Sequence, residues 1–257
     1  GLELSFYHEL RAQISPSELV HLWQAGLTSV QFGIEGLSSS FLERIGKGTS
    51  VIQNLQSMKV CEELGIENGA NLLIDFPGTT AEEVEQTRNT ILHFALPYRP
   101  CFLAPFQLSV GSTVDSVPDE FGITNVRNAD VYRAGMPLDV WRRLRLFSLD
   151  FDGTAPNPSW DSVRAACEVW RRKYEARSEP LLFYQDGGTF LTISDARGES
   201  VKETVLRGLE RRLYLYCCQI RSHAQILAAF TEAPAQAIQG ALDRLVREAL
   251  VYQEGSR

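Results

Sequence analysis

Apolar and polar positions alternate with a period of two at two places in the first third of the chain, and each run ends on an acid. In the stretch VQFGIE (30–35), Val30, Phe32 and Ile34 share one side, while Gln31, Gly33 and Glu35 share the other. In NLLIDF (71–76), Leu72, Ile74 and Phe76 fall on one side and Asn71, Leu73 and Asp75 on the other. Successive side chains of a strand point to opposite faces. The pattern therefore predicts strands over 29–35 and 70–75, with a fully apolar face packed under helices and a mixed face turned toward a barrel interior or a cleft. Residues 2–9 and 101–108 read as two further strands, and Glu9 ends the first of them.

Helical signals separate these strands. Ser15 precedes Pro16, and Glu18 stands three residues after the serine, which is the signature of a capped helix start. That helix puts Leu19, Leu22 and Trp23 on one face and stops at Gly26. Helices are expected over 38–45 and 50–64, the latter ended by Gly65. Pro77-Gly78 makes a turn, and Thr80 caps a helix over 81–95. Strand and helix in strict alternation point to parallel β/α units.

The rest of the chain changes character. Residues 110–150 are rich in turn formers. An amphipathic helix over 160–175 carries Trp160, Val163, Ala166, Cys167 and Trp170. A hairpin near 181–193 turns at Asp186-Gly187-Gly188, and a long helix over 199–220 aligns Val205, Leu209, Leu213 and Tyr216. Ser222 caps a helix through Phe230. A second helix places Ile238, Leu242, Leu245 and Val246 on one stripe, and residues 250–253 read as a strand entering a turn. This is a winged-helix outline. The expected fold is α/β in three parts: a partial (β/α) barrel of parallel strands over 1–110, an irregular α+β region over 111–221, and a small winged-helix-like unit over 222–257.

Composition narrows the class. Of 257 residues, 44 % are apolar and 22 % charged, as in ordinary soluble globular proteins. No apolar run approaches the length of a membrane span, and GLELSFYHEL lacks the marks of a signal peptide. A net charge of −7 gives no bulk support for nucleic-acid binding. The five cysteines, at 61, 101, 167, 217 and 218, are odd in number and scattered, which suits a reducing cytoplasm. No CxxC or CxxxC spacing occurs, so no iron–sulfur or zinc site is read from them. Cys217 and Cys218 read as packing in a helical run, with a redox or metal role as the alternative.

Acids at the C-terminal ends of parallel strands are where β/α barrels carry chemistry, which singles out Glu9, Glu35 and Asp75. The plainer alternative is that Glu35 and Asp75 cap the helices that follow them. A second motif, LFSLDFDGT (146–154), matches the DxDGT of haloacid-dehalogenase-type phosphatases, with Asp150 as nucleophile and Asp152 as general acid around Mg²⁺. The downstream Ser/Thr, Lys and acidic elements of that site are not found, so this stands as a lesser alternative.

The succession GIEG, KG, CEELGI and NLLIDFPGTTAEE resembles the middle of a radical S-adenosylmethionine (SAM) barrel, in which cobalamin-type members read GIES, KG, GI and PGET. LSFYHELRAQ and AGLTSVQFGIEGLSSSFLERIGKGTSVIQN resemble more closely the radical SAM proteins that mature ribosomally made peptides (RiPPs). So do the later FLAPFQLSVGSTV, DEFGI and FLTISDARGESVKETVLRGLERRLYLYC. The resemblance implies that Glu35 meets the SAM ribose and that Gln31 lines the same cavity. It further implies that Lys47 pairs with the SAM carboxylate, unless it is merely a solvated helix end. The turn from Asp75 to Gly78 would lie near the adenine, with Glu9 toward SAM or the substrate. It implies a radical SAM enzyme acting on a precursor peptide, with C-methylation as a candidate outcome. The cofactors would be SAM, a [4Fe–4S] cluster and, in the cobalamin-type case, cobalamin.

The chain departs from that pattern in three ways. The CxxxCxxC loop that ligates the cluster is absent, Gly36 stands where GIES has Ser, and Thr79 stands where PGET has Glu. The expectation is that cluster and cobalamin are held outside this chain, in an N-terminal part of the same protein, and that this chain alone is not competent. The rival is a non-enzymatic peptide- or protein-binding module on a degenerate scaffold. Neither membrane nor nucleic acid is an expected partner. Residues 222–257 would pack against the barrel or hold a peptide at the 250–253 edge. DNA ranks last, because Asp243 and Glu248 offset Arg244 and Arg247.

Overall fold

The computed structural model describes residues 4–153 and 158–255. Its first part is a run of β/α units. Strand β1 (Phe6–Leu10) leads to helix α1 (Pro16–Gln24), which begins at the Ser15 capping box anticipated from the sequence. Strand β2 (Leu27–Phe32) lies parallel to β1, with Glu9 opposite Gln31. Helices α2 (Ser39–Arg44) and α3 (Val51–Leu64) follow, and a two-residue strand β3 (Glu67–Asn68) pairs with β2. Strand β4 (Asn71–Ile74) runs into α4 (Ala81–Thr90), whose last turns continue as a π-helix over Ile91–Ala95. Strand β5 (Phe102–Pro105) lies parallel to β4.

The two parallel pairs are joined beyond the end of β2. The Gly69 N–H donates to Val30 O (2.8 Å), Glu35 N–H to Asn71 O (3.1 Å) and Leu73 N–H to Glu35 O (2.9 Å). The strand order is thus β1-β2-β4-β5, an open parallel layer. These described strands do not close into a barrel. The ladder of β2 is shorter than the 29–35 expected, and Glu35 enters the sheet as an isolated bridge to Leu72. The strand expected over 2–9 is observed at Phe6–Leu10, and residues 1–3 lie outside the described residues.

The assignment of faces holds. Val30, Phe32, Ile34, Leu72, Ile74 and Phe76 are all buried. With Leu19, Leu55, Met58 and Trp170, most of them form the main core between the sheet and its helices. Trp170 is delivered by a helix from later in the chain, and its Nε1 donates to Tyr98 O (2.8 Å). Trp23, expected on the core face of α1, is instead 44 % exposed. The nine residues of α1 present a stripe narrow enough that Leu19 and Leu22 fill it.

Residues 110–150, which showed no clear pattern, build a second small sheet. Strands β6 (Leu108–Ser109), β7 (Ile123–Asn128) and β8 (Ser148–Gly153) run antiparallel with β8 in the middle, and short helices α5 (Thr113–Ser116) and α6 (Leu138–Arg143) lie between them. Phe41, Phe76, Leu108, Val114, Ile123 and Leu149 form its core. That core joins the sheet to the turn after β4.

In the remainder, helix α7 (Asp161–Ala176) joins the main core, and the elements after it build one further core. Helix α7 carries the expected stripe, although Trp160 precedes rather than enters it. Strands β9 (Leu182–Asp186) and β10 (Phe190–Asp195) form the expected hairpin, turning at Gly187-Gly188. The helix expected over 199–220 is a correction: Lys202–Arg207 is strand β11, antiparallel to β10, and helix α8 covers Gly208–Tyr216 alone. Thr204 and Leu206 point inward while Val205 is 46 % exposed. Pairing with β10 selects the period-two face over the helical stripe, as tertiary context commonly does.

Helix α9 (His223–Ala229) begins at the expected Ser222 cap and ends one residue before Phe230, and helix α10 (Ala235–Arg247) carries the expected apolar stripe. Their apolar side chains share one core with β10, β11 and α8. No strand forms at 250–253 among the described residues, so the wing of the expected winged helix is not seen. Those residues instead return to the parallel layer. Tyr252 packs edge-on against Phe94 with centroids 4.9 Å apart, and burial pushes its hydroxyl up to about 12. The Glu254 carboxylate accepts from the N–H groups of Val51 and Ile52, both at 3.0 Å, and from the Ser39 hydroxyl. It thereby satisfies two otherwise open donors at the start of α3.

Glu254→Ala should therefore lower stability by about 1 kcal/mol, the scale of a lost helix cap, and should speed amide exchange at Val51 and Ile52. Denaturant unfolding with residue-resolved hydrogen exchange checks both. Unchanged exchange at those two amides would show that the tail does not cap α3.

Candidate functional site

The open face of the parallel layer gathers the polar positions of its strands. Tyr7 and Glu9 on β1 are exposed, and Gln31, Glu35, Asn71 and Leu73 are half-buried. The Tyr7 hydroxyl donates to Gln31 Oε1 (3.1 Å) and, more weakly, to Glu9 Oε1 (3.4 Å). Glu9 and Gln31 are thus neighbours across β1 and β2, tied through a tyrosine that the sequence reading did not select.

Glu35 and Lys47 come together. Lys47 Nζ donates to Glu35 Oε1 at 3.1 Å, with about a quarter of each side chain exposed (29 % and 26 %). Gly33 leaves room beside this pair. A Cβ at residue 33 would lie 2.7 Å from Lys47 Nζ and 3.4 Å from Glu35 Oε1. The ammonium lies in the space that a side chain at 33 would take. Lys47 is therefore not a solvated helix end.

Both strand-terminal acids hold left-handed backbone, with φ +55° at Glu35 and +57° at Asp75. For a non-glycine residue this conformation costs about 1–2 kcal/mol, and such residues persist where the surroundings over-determine them, often at functional sites. Neither acid caps the next helix. Ser38 is the N-cap of α2 and Thr80 that of α4. The capping alternative is excluded for both residues.

Asp75 takes a different partner, Arg164 of α7, at 2.5 Å. Spacing gave no hint of that residue. The turn that follows is fixed by Arg44, whose guanidinium grips Glu83 through two nitrogens (3.1 and 2.8 Å) and also donates to Pro77 O (3.1 Å) and Thr79 Oγ1 (3.3 Å). The Glu83 side chain is almost fully buried. Thr79 in turn donates to Phe76 O (2.7 Å). Two carbonyls of the turn are thus already engaged, and its free backbone edge is at Asp75 and Gly78. Gly78 has φ +71°, a region that favours glycine, and lies against Phe121.

The other candidates resolve differently. Asp150 and Asp152 lie on the central strand of the small antiparallel sheet, not at the end of a parallel strand. Asp150 accepts the Asp130 N–H (2.8 Å). Asp152 is held by Asn125 (2.8 Å) and Arg127 (3.1 Å), and these bonds keep its carboxyl below the usual range. Thr154 lies outside the described residues. The phosphatase reading is a correction: both carboxylates are turn and ladder fasteners here.

The cysteines are all free. Cys61, Cys101 and Cys167 are buried, and burial pushes the thiols of Cys61 and Cys167 up to about 12. Cys217 and Cys218 follow the end of α8 and are half-buried, with the Cys217 thiol pushed up to about 11 by burial. Among the described residues, no group of three or more His, Cys, Asp and Glu side chains is placed to hold a metal ion. These residues do not fit the ligand set of an iron–sulfur cluster. Among the described residues, no helix is long and apolar enough to cross a membrane.

Comparison with known proteins gives the following likenesses. No protein-family model matches the chain. Over 88 residues it is 33 % identical to an uncharacterized methyltransferase of Pyrococcus horikoshii, a stretch that covers 34 % of this chain and 19 % of that protein. The chain thus spans about a fifth of the length of that relative. Among solved structures, Elp3 of the archaeon Methanocaldococcus infernus aligns at 14 % identity and a TM-score of 0.39, over 79 % of this chain and 56 % of that one. The cobalamin-dependent SAM radical enzyme OxsB, with aqua-cobalamin bound, aligns at 16 % identity and a TM-score of 0.34, over 96 % and 34 %. At such scores the two structural likenesses carry no argument about the site.

The Arg44–Glu83 pair sets the shape of the turn, so its loss should be costly. Arg44→Met is expected to destabilise by about 3 kcal/mol, because it leaves a buried carboxylate without its cation and with the Thr80 N–H alone, and adding Glu83→Gln should recover part of that. Urea unfolding of the two single variants and the double variant provides the check. An Arg44→Met variant within about 0.5 kcal/mol of the parent would remove the pair from this role.

Proposed function

We propose that this chain forms the SAM-binding and substrate-facing portion of a radical SAM enzyme that modifies a peptide, with C-methylation as the outcome. The observation that carries the reading is the Glu35–Lys47 pair lying over Gly33, at the C-terminal end of a parallel strand. A carboxylate accepts well from a vicinal diol, and an ammonium pairs with a carboxylate. SAM offers both groups, and the donor set fits it. The sequence resemblance at 30–80 and the identity to a methyltransferase over 88 residues support the same reading.

In this account Glu35 receives the ribose hydroxyls. Lys47, paired with Glu35 at 3.1 Å, turns to the carboxylate of the ligand. Gln31 lines the same face, with its amide oriented by Tyr7. The backbone at Asp75 and Gly78 meets the adenine edge, with Arg164 holding the Asp75 side chain aside. Glu9 and Tyr7 face the substrate, an extended peptide that has access to the open layer. Bound SAM supplies the reactive group, and the chain orients and shields it. The described residues do not fit a [4Fe–4S] cluster. Its ligands, and those of cobalamin where it is used, belong in this reading to a part of the protein outside this chain. The free cysteines fit a cytoplasmic location.

Glu35→Gln should weaken SAM binding by about 1–3 kcal/mol, the scale of a lost hydrogen bond to a charged group, with little change in melting temperature. Calorimetric titration of SAM into parent and variant decides it. Equal affinities with a lowered melting temperature would make Glu35 a structural residue and sink the assignment.

A further inference from the structure

Helix α3 buries one amide completely. Asn54 is fully inaccessible, on a helix face otherwise occupied by Val51, Leu55 and Met58. Its Nδ2 donates to Ile34 O (3.0 Å) and to Gly36 O (2.9 Å). These are the carbonyls on either side of Glu35, and Glu35 is the residue with left-handed backbone. Asn54 Oδ1 has no hydrogen-bond partner among the described residues. An acceptor left open in a core costs free energy, of order 1–3 kcal/mol. Helix packing alone would be served as well by leucine, so the amide is there for its two donors.

The main chain of Glu35 is held from the other side as well. Its N–H donates to Asn71 O and its carbonyl accepts from Leu73 N–H. The Gly36 N–H also donates to Ile34 O (2.6 Å), so residues 34–36 are held by two hydrogen bonds with β4, two from Asn54 on α3 and one within the turn itself. The two from β4 set the height of Glu35 in the sheet. The two from Asn54 turn the flanking carbonyls inward, and the side chain of Glu35 is thereby directed to the open face, over Gly33 and against Lys47.

We propose that Asn54 is a positioning residue: it acts through the backbone of residues 34–36 to hold Glu35 left-handed, and so aims the Glu35 carboxylate at the ligand. Its functional consequence rests on the SAM-binding reading above. Its conformational content does not. Aspartate at 54 would set a carboxylate against two carbonyls, leucine would strip the Gly36 carbonyl of its Asn54 donor and leave Ile34 O with the Gly36 N–H alone, and serine keeps at most one donor.

The test uses the whole protein in four forms: parent, Asn54→Ser, Glu35→Gln and the double variant. Two quantities are read. One is the backbone conformation at Glu35, from its HN–Hα coupling or a crystal structure. The other is SAM affinity by calorimetry. Asn54→Ser should release Glu35 from the left-handed region and weaken SAM about tenfold in the parent background. It should cost less than about twofold when Glu35→Gln is already present.

Retention of the left-handed conformation in Asn54→Ser overturns the proposal. An equal loss of affinity in both backgrounds overturns it too, because a general packing defect would act without Glu35. If Glu35 moves and Glu35→Gln leaves SAM affinity untouched, the SAM assignment fails while the positioning role stands. If Asn54→Ser does not fold, exchange of the Asn54 carboxamide protons in the parent decides. Slowing of at least about tenfold relative to a free amide supports the two bonds, and exchange at the free rate overturns them.

Discussion

The parallel layer depends on the main chain of Glu35. Strands β2 and β4 do not share a continuous ladder, and the chain between them is held by bonds from Gly69 to Val30, from Glu35 to Asn71 and from Leu73 to Glu35. The N–H and carbonyl of Glu35 both serve the neighbouring strand while the residue itself adopts φ +55°. An unpaired backbone group at this depth would cost as much as a lost hydrogen bond, so the strain is offset where it arises. The carboxylate keeps to the face of Gly33 that parity assigns it and lies over that glycine, against Lys47. One constraint thus joins the sheet and places its most distinctive side chain.

A second constraint works at the other acid. The turn after Asp75 is set by a single arginine, which lies 5.4 Å from the ring centroids of both Phe41 and Phe76 while gripping Glu83. Phe76 also belongs to the core of the small antiparallel sheet. The turn is therefore supported from three directions: α2 through Arg44, α4 through Glu83, and Phe106 and Phe121, which flank the small antiparallel sheet's first strands, through their ring contacts with Phe76. A turn held this firmly can keep the free backbone at Asp75 and Gly78 in one place without a ligand.

The sequence was most legible where local chemistry and tertiary packing agree. Ser15, Ser50, Thr80 and Ser222 cap helices because a short hydroxyl followed three residues later by Glu or Gln satisfies open N–H groups whatever the rest of the fold does. It misled where two periodicities competed. KETVLR carries both a helical stripe through Val205 and a strand face through Thr204 and Leu206, and only the neighbouring β10 chose between them. The tail at 250–253 shows the converse. It has the composition of a strand, but its backbone finds no strand to pair with among the described residues, and Tyr252 finds Phe94 instead.

Alternation along 30–35 and 71–76 determined, without any structure, which side chains are buried and which positions share the opposite face with Glu35 and Asp75. That follows from strand geometry, in which face is a matter of parity. Tertiary structure alone decided what each of those residues meets. Lys47 meets Glu35 beside Gly33, Arg164 reaches Asp75 from 89 positions away, and Asn54 reaches the two carbonyls beside Glu35 from the buried face of α3. No spacing rule encodes these meetings. They depend on how helices settle on a sheet, and that is set by the sum of many packing contacts.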